Sequence, residues 1–289
     1  MRNTEKIDLF VRWMEAKNMA HSTVKIYRHC LLRFFNSIQK DSGRISQQEI
    51  QDYITRIPKH YSDSYRNQVV NSIRLYFIIS EHKKLHPVNL PRPKREVFIP
   101  DILTVDEMER VIFSTKNLKH RAILFTLYDN GLRRSELLNM RLMDVRTHCS
   151  NPHLIIRNAK HHNARTIPLS LRCIELLKQY YRAYRPQTYL FESDSENTPY
   201  SATSVRNILE NALKREGIKK HIRVHDLRHS FATHCLAGET NIKHLSKVLG
   251  HRNVKTTENY YEHLRPEELV IKRPQQQSDN IPVRHLKVV

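Results

Sequence analysis

Four short segments of the chain carry side chains that could act together on a phosphate. In the run from Gly131 to Leu137, GLRRSEL, a glycine turn delivers Arg133 to the start of a helix. A guanidinium fixed there can present its planar fork to a phosphate, and a helix N-terminus adds a positive field. Glu136, three residues on, can hold that guanidinium or a neighbouring backbone amide. Lys160 stands on the turn between two β-prone runs and is the only lysine between Lys119 and Lys178. A lysine on such a turn can donate a proton to a leaving oxygen. His225 and Arg228, three residues apart, share one helix face and set a second cation beside a neutral donor. That pairing suits the charge of a phosphorane-like transition state. Last, Leu249-Gly250 closes a helix before His251, and Thr256-Thr257-Glu258-Asn259 leads into Tyr260. A tyrosine hydroxyl, with a pKa of about 10, is a weak nucleophile at neutral pH. Arginines and histidines around it favour the phenolate and make it usable.

Taken singly, each segment has an ordinary explanation. Arg133 could be an arginine in a surface turn, Lys160 a basic turn residue, and Tyr260 and Tyr261 two half-buried aromatics. His225 and His229 are four apart, as in a zinc pair. The residue after the first histidine is Asp226 rather than glutamate, and no third ligand is evident, so no metal is expected.

The elements that must position these groups are mainly helical. Ile7, Phe10, Val11 and Met14 recur at helical spacing, as do Val24, Tyr27, Leu31, Phe34 and Ile38. Ser46 and Glu49 have capping-box spacing ahead of Ile50, Tyr53, Ile54 and Ile57. Tyr65, Val69, Ile73, Tyr76 and Phe77 make a fourth stripe. Residues 1–85 therefore read as a four-helix module. Its polar faces carry Lys25, Arg28, Arg33, Arg66 and Arg74, candidates for contact with a polyanion. Residues 86–100, HPVNLPRPKREVFIP, hold four prolines and the basic residues Arg92, Lys94 and Arg95; they read as an extended linker, not a helix. Beyond it, Thr104 and Glu107 open another helix, and an apolar helix over 121–128 stops at Asp129-Asn130-Gly131. HLIIR (153–157) and RTIPL (165–169) read as a hairpin. Residues 171–218 read as helical, with Gly217 as a C-terminal cap.

Bulk properties agree with a polyanionic partner. The chain of 289 residues carries 49 Lys and Arg against 29 Asp and Glu, a net charge of +20. Such an excess opposes folding by self-repulsion and is usually matched by nucleic acid. Residues 1–95 hold 18 basic and 8 acidic side chains, so the excess is shared by both halves rather than confined to a tail. Cys30, Cys149, Cys173 and Cys235 are scattered without a CxxC, which reads as buried free thiols in a reducing compartment. The N-terminal run reads as neither a signal peptide nor a membrane span, so a cytoplasmic location is expected.

In order and spacing, the four segments resemble the tyrosine recombinase family, or phage-type integrases, which includes the Xer chromosome-dimer resolvases. The family pattern is GLRxSEL, a hairpin lysine, HxLRH, LGH and TTxxY. Arg133, Lys160, His225, Arg228, His251 and Tyr260 match it in order, over about residues 100–265. The choice of Tyr260 over Tyr261 rests on the TTxxY spacing. The resemblance implies a mainly α fold. It comprises an N-terminal four-helix core-binding domain (1–85), the linker (86–100), an α-helical catalytic domain with a small inserted sheet (101–270), and a tail (271–289) that can be exchanged between subunits. Together these form a C-shaped clamp on DNA. It further implies site-specific cutting and rejoining of double-stranded DNA through a 3′-phosphotyrosine and a Holliday junction. The protein would act as a homo-tetramer on its sites, and as a monomer or dimer when free, without cofactor or membrane. Residues 281–289, IPVRHLKVV, are expected to pack as an extended segment. Two alternatives stay open: DNA relaxation of the type IB topoisomerase kind, and a catalytically silent DNA-binding regulator.

Overall fold

The structure, a computed structural model, describes residues 3–85, 90, 92, 101–157, 164–193 and 197–250. Residues three and four apart lie on one side of a helix, so Ile7, Phe10 and Met14 face together, and α1 (Asn3–Ala16) buries all three. α2 (His21–Ile38), α3 (Gln47–Arg56) and α4 (Asp63–Ser80) follow the same rule. Their apolar faces meet in one core, where Phe34 sits edge-on to Phe35, Tyr53 and Phe77, and Tyr76 edge-on to Phe10. Each such pair adds roughly 0.5–1.5 kcal/mol beyond the area it buries. Ser46 and Glu49 close the expected capping box at the start of α3. These four helices belong to a compact unit spanning residues 1–98; residues 99–289 form a second. In the expected linker, Leu90 is buried in the first unit's core, and Arg92 donates to Asn71 Oδ1 at 3.0 Å. Lys94 and Arg95 lie outside the described residues, as do the tail and its expected extended segment.

The second unit is built around α6 (Leu118–Asp129), whose residues Ala122 to Leu127 are all buried. Packed on it are α5 (Val105–Phe113), α7 (Arg134–Leu138), α8 (Leu171–Tyr184), α9 (Ala202–Arg215) and α10 (Val224–Ala237). α11 (Ile242–Leu249) follows and contacts α10. The Thr104–Glu107 box caps α5, and Gly217 follows α9 in the left-handed region. The hairpin forms as β2 (His153–Ile156) and β3 (Arg165–Pro168), antiparallel, with Leu154 opposite Ile167. Leu154, Ile156 and Ile167 are buried, as period-two alternation requires.

Three features depart from the sequence expectations. A third strand, β1 (Val145–Arg146), pairs antiparallel with β2 and makes the hairpin a three-stranded sheet. Residues 185–193 and 197–201 are not helical. It breaks at Pro186, and Glu192 accepts the backbone N–H groups of Gln187, Thr188 and Tyr189 at 3.1, 2.6 and 3.0 Å, which organises a loop. That loop docks on the chain after α7, where Leu190 N donates to Met140 O at 2.8 Å. Finally, Cys30 and Cys173 are buried, but Cys149 is exposed and Cys235 only part-buried. Cys149 lies in the polar β1–β2 connection, where no core covers it. Among the described residues, no helix is long and apolar enough to cross a membrane.

Candidate functional site

The turn between α6 and α7 depends on Gly131. Its φ is +55°, and a Cβ there would lie 2.4 Å from Phe231 Cδ1 on α10, so only glycine allows both the turn and the packing. The turn places Arg133 at the N-cap of α7. Its backbone N–H donates to Glu136 Oε2 at 2.9 Å and its Nη1 to Oε1 at 2.7 Å, so Glu136 holds both groups expected of it. With only five residues, α7 adds little helix field; the positive character of this corner comes from its guanidiniums.

Glu136 is the hub of those guanidiniums. Arg165, at the start of β3, closes a bidentate pair on it, with Nη1 to Oε1 at 3.0 Å and Nη2 to Oε2 at 2.9 Å. Arg228 Nη1 lies 3.9 Å from Oε2. Three arginines around one carboxylate leave a local charge of about +2, the complement of a phosphodiester and of the extra charge it gains on attack. Burial by itself would raise the Glu136 pKa; the bonds from Arg165 and then Arg133 outweigh it and bring it down to about 2. A depressed carboxylate stabilises the fold fully above its unfolded pKa, near 4.5, and loses that contribution as pH falls through its folded value. Acid unfolding followed by circular dichroism will therefore show the unmodified chain losing stability between about pH 4.5 and 2. Glu136→Gln will start less stable at pH 7 and lack that component; equal acid profiles would contradict the assignment.

α10 carries the next pair. Arg228 is 3% exposed, and its Nη1 and Nη2 donate to Gly131 O at 2.8 Å and Leu249 O at 2.5 Å, tying the α6–α7 turn to the end of α11. His225 keeps a solvent-facing edge, yet desolvation by the protein beneath it, then Arg228, push its pKa below the usual imidazole value. It is thus a neutral imidazole near pH 7, available as donor or acceptor. His225 and His229 stand edge-to-face with centroids 4.6 Å apart.

Arg133 and His225 line one cavity of about 1070 Å³. Arg134, Lys214, Lys219 and Arg223 also face it, with Glu210 as the acidic residue in its lining. Sequence reasoning missed these cations, although the run Lys214 to Arg223, KREGIKKHIR, signals them. It also missed Arg165. Lys160, His251 and Tyr260 lie outside the described residues, as does Tyr261. In the first unit, Lys25 is exposed, Arg28 pairs with Asp8 at 3.2 Å, and Arg66 with Asp63 at 3.4 Å. Arg33 bonds Tyr65 Oη at 3.3 Å and lies over the Tyr61 ring. Arg74 is half-buried, its Nε without a hydrogen-bond partner among the described residues.

The model of the Phage integrase family matches residues 101–268. Over 266 residues the chain is 29% identical to tyrosine recombinase XerA of Pyrococcus horikoshii, covering 89% of each. It is 27% identical over 262 residues to tyrosine recombinase XerC of Staphylococcus haemolyticus, covering 84% of this chain and 87% of that one. Among solved structures, XerA recombinase is similar at 26% identity and a TM-score of 0.54, covering 93% of this chain and 96% of that one. XerH site-specific recombinase bound to difH substrate shares the fold at 17% identity and a TM-score of 0.71, covering 92% and 82%.

Proposed function

The chain belongs to the phage integrase family, and on that premise we propose that it is a site-specific recombinase using Tyr260 as nucleophile. The observation that carries this reading is the gathering of Arg133, Arg165 and Arg228 on Glu136, beside a basic cavity that His225 also lines. In the proposed reaction, the Tyr260 oxygen attacks the scissile phosphorus and the 5′ oxygen leaves with a proton. Arg133, Arg228 and His251 hold the non-bridging oxygens. Lys160 supplies the leaving-group proton, and His225 assists its movement. The product is a 3′-phosphotyrosine, which retains the bond energy for rejoining, so the cycle needs no nucleotide cofactor. The arginines supply the positive charge that a metal ion supplies in other phosphoryl transfers. Exchange of strands between two sites then runs through a Holliday junction in a homo-tetramer. Lys214, Lys219 and Arg223 on the second unit, and Lys25, Arg28, Arg66, Arg74, Arg92, Lys94 and Arg95 on the first, are proposed to meet the DNA backbone.

Sequencing the DNA ends held covalently by the protein, after exposure to genomic fragments, separates this reading from its alternatives. A recombinase will be found on one recurrent sequence, and a plasmid carrying two copies of it will be rearranged. Scattered ends with plasmid relaxation would point to a topoisomerase. DNA binding without covalent ends would point to a silent regulator.

A further inference from the structure

An α-helix leaves its last carbonyls without partners inside the helix, and cations are favoured beside them. At the end of α11, two arginines from elsewhere take these positions. Arg228 Nη2 binds Leu249 O at 2.5 Å, and Arg165 Nε binds Val248 O at 2.6 Å. Arg165 also reaches back, its Nη1 and Nη2 forming the bidentate pair on Glu136. One side chain, 9% exposed, thus joins β3 to α7 and to the end of α11, across sequence separations of 29 and 83 residues. Gly250 completes the contact. Its φ is +65°, and a Cβ there would lie 3.0 Å from Arg165 Nη1 and 3.1 Å from Cζ. Glycine makes the turn and leaves the guanidinium its room.

We propose that Arg165 is a positioning residue for strand cleavage, locking the end of α11 to the carboxylate that orients Arg133. The chain leaves α11 through Gly250 directly into His251, nine residues before Tyr260. The end of α11, up to Gly250, is therefore tied to Glu136 and Arg228. Arg165 directs three of its five N–H groups to Val248 O and the Glu136 carboxylate, and it is on these bonds, linking α11 to α7, that the proposal places its role. A lysine could keep the charge but not three bonds in fixed directions.

This inference rests on the recombinase reading. Its test is single-turnover formation of the covalent adduct on a nicked substrate at saturating DNA, alongside DNA affinity and thermal melting. The unmodified chain, Arg165→Lys, Arg165→Ala, Glu136→Gln and the double variant Arg165→Ala/Glu136→Gln are compared. Displacing the reacting groups by about 1 Å costs on the order of 10²-fold in rate, so both Arg165 variants will cleave more slowly by about that factor. They will still melt cooperatively and bind DNA within about threefold of the unmodified chain. The double variant will lose less than the product of the single losses, because the two side chains act as one unit. Cleavage by Arg165→Lys at close to the normal rate overturns the proposal. So does a loss of DNA affinity matching the loss of rate, and so does fully multiplicative behaviour of the double variant. Failure of Arg165→Lys to fold would make Arg165 a staple of the fold and also overturn it. No adduct from the unmodified chain would overturn the recombinase reading itself, an outcome separate from any difference among the variants.

Discussion

Arg133→Ala will hold its DNA site nearly as tightly as the unmodified chain and cut it on the order of 10³-fold more slowly. The size follows from the charge it removes. A cation about 4 Å from developing phosphate charge is worth roughly 4 kcal/mol at an effective dielectric near 20, and each 1.36 kcal/mol is tenfold in rate. The affinity is spared because Arg133 is one cation in a chain of net charge +20, with Arg134, Lys214 and Lys219 facing the same cavity. The fold is spared because Glu136 keeps the bidentate Arg165 and the backbone N–H of residue 133. Arg133→Lys will not restore the rate, since a point charge cannot bond Glu136 and meet a phosphate in the same fixed geometry. Single-turnover cleavage and equilibrium binding on one DNA duplex check both halves of this expectation. Rate and affinity falling together would make Arg133 a binding residue and nothing more.

Much of this arrangement was legible in the sequence, for reasons that are local. Ile7, Phe10 and Met14 reveal α1 because helical period needs no distant partner, and Ser46 with Glu49 marks the start of α3 within four residues. Arg133 and Glu136 could be paired from their spacing, and the structure bonds them through both side chain and backbone. What was not legible depends on long-range contact. β1 is two residues long, too short to alternate, and exists because the edge of β2 accepts it. The loop from Arg185 to Ser193 reads as helix in the sequence because Glu192 looks like any helical glutamate until it turns back on three amides. Arg165 reads as one more polar strand residue; its partners, Glu136 and Val248, lie far from it in the chain. Lys160, His251 and Tyr260 are legible by motif alone, and their roles belong to the proposal.

The second large effect is that of Tyr260→Phe, which deletes one oxygen and leaves the ring. If Tyr260 is the covalent attachment point, as proposed, the expected loss of adduct is complete rather than graded. Three arginines sharing one buried carboxylate provide a cationic setting in which a phenol can ionise below its usual pKa of about 10. The proposal favours Tyr260 over Tyr261 on the TTxxY spacing. The most direct measurement of the central claim is therefore the covalent protein–DNA adduct on a nicked substrate bearing the recovered site. The unmodified chain, Tyr260→Phe and Tyr261→Phe are compared in parallel. The account predicts adduct from the unmodified chain and from Tyr261→Phe and none from Tyr260→Phe; an adduct that persists in Tyr260→Phe would contradict it.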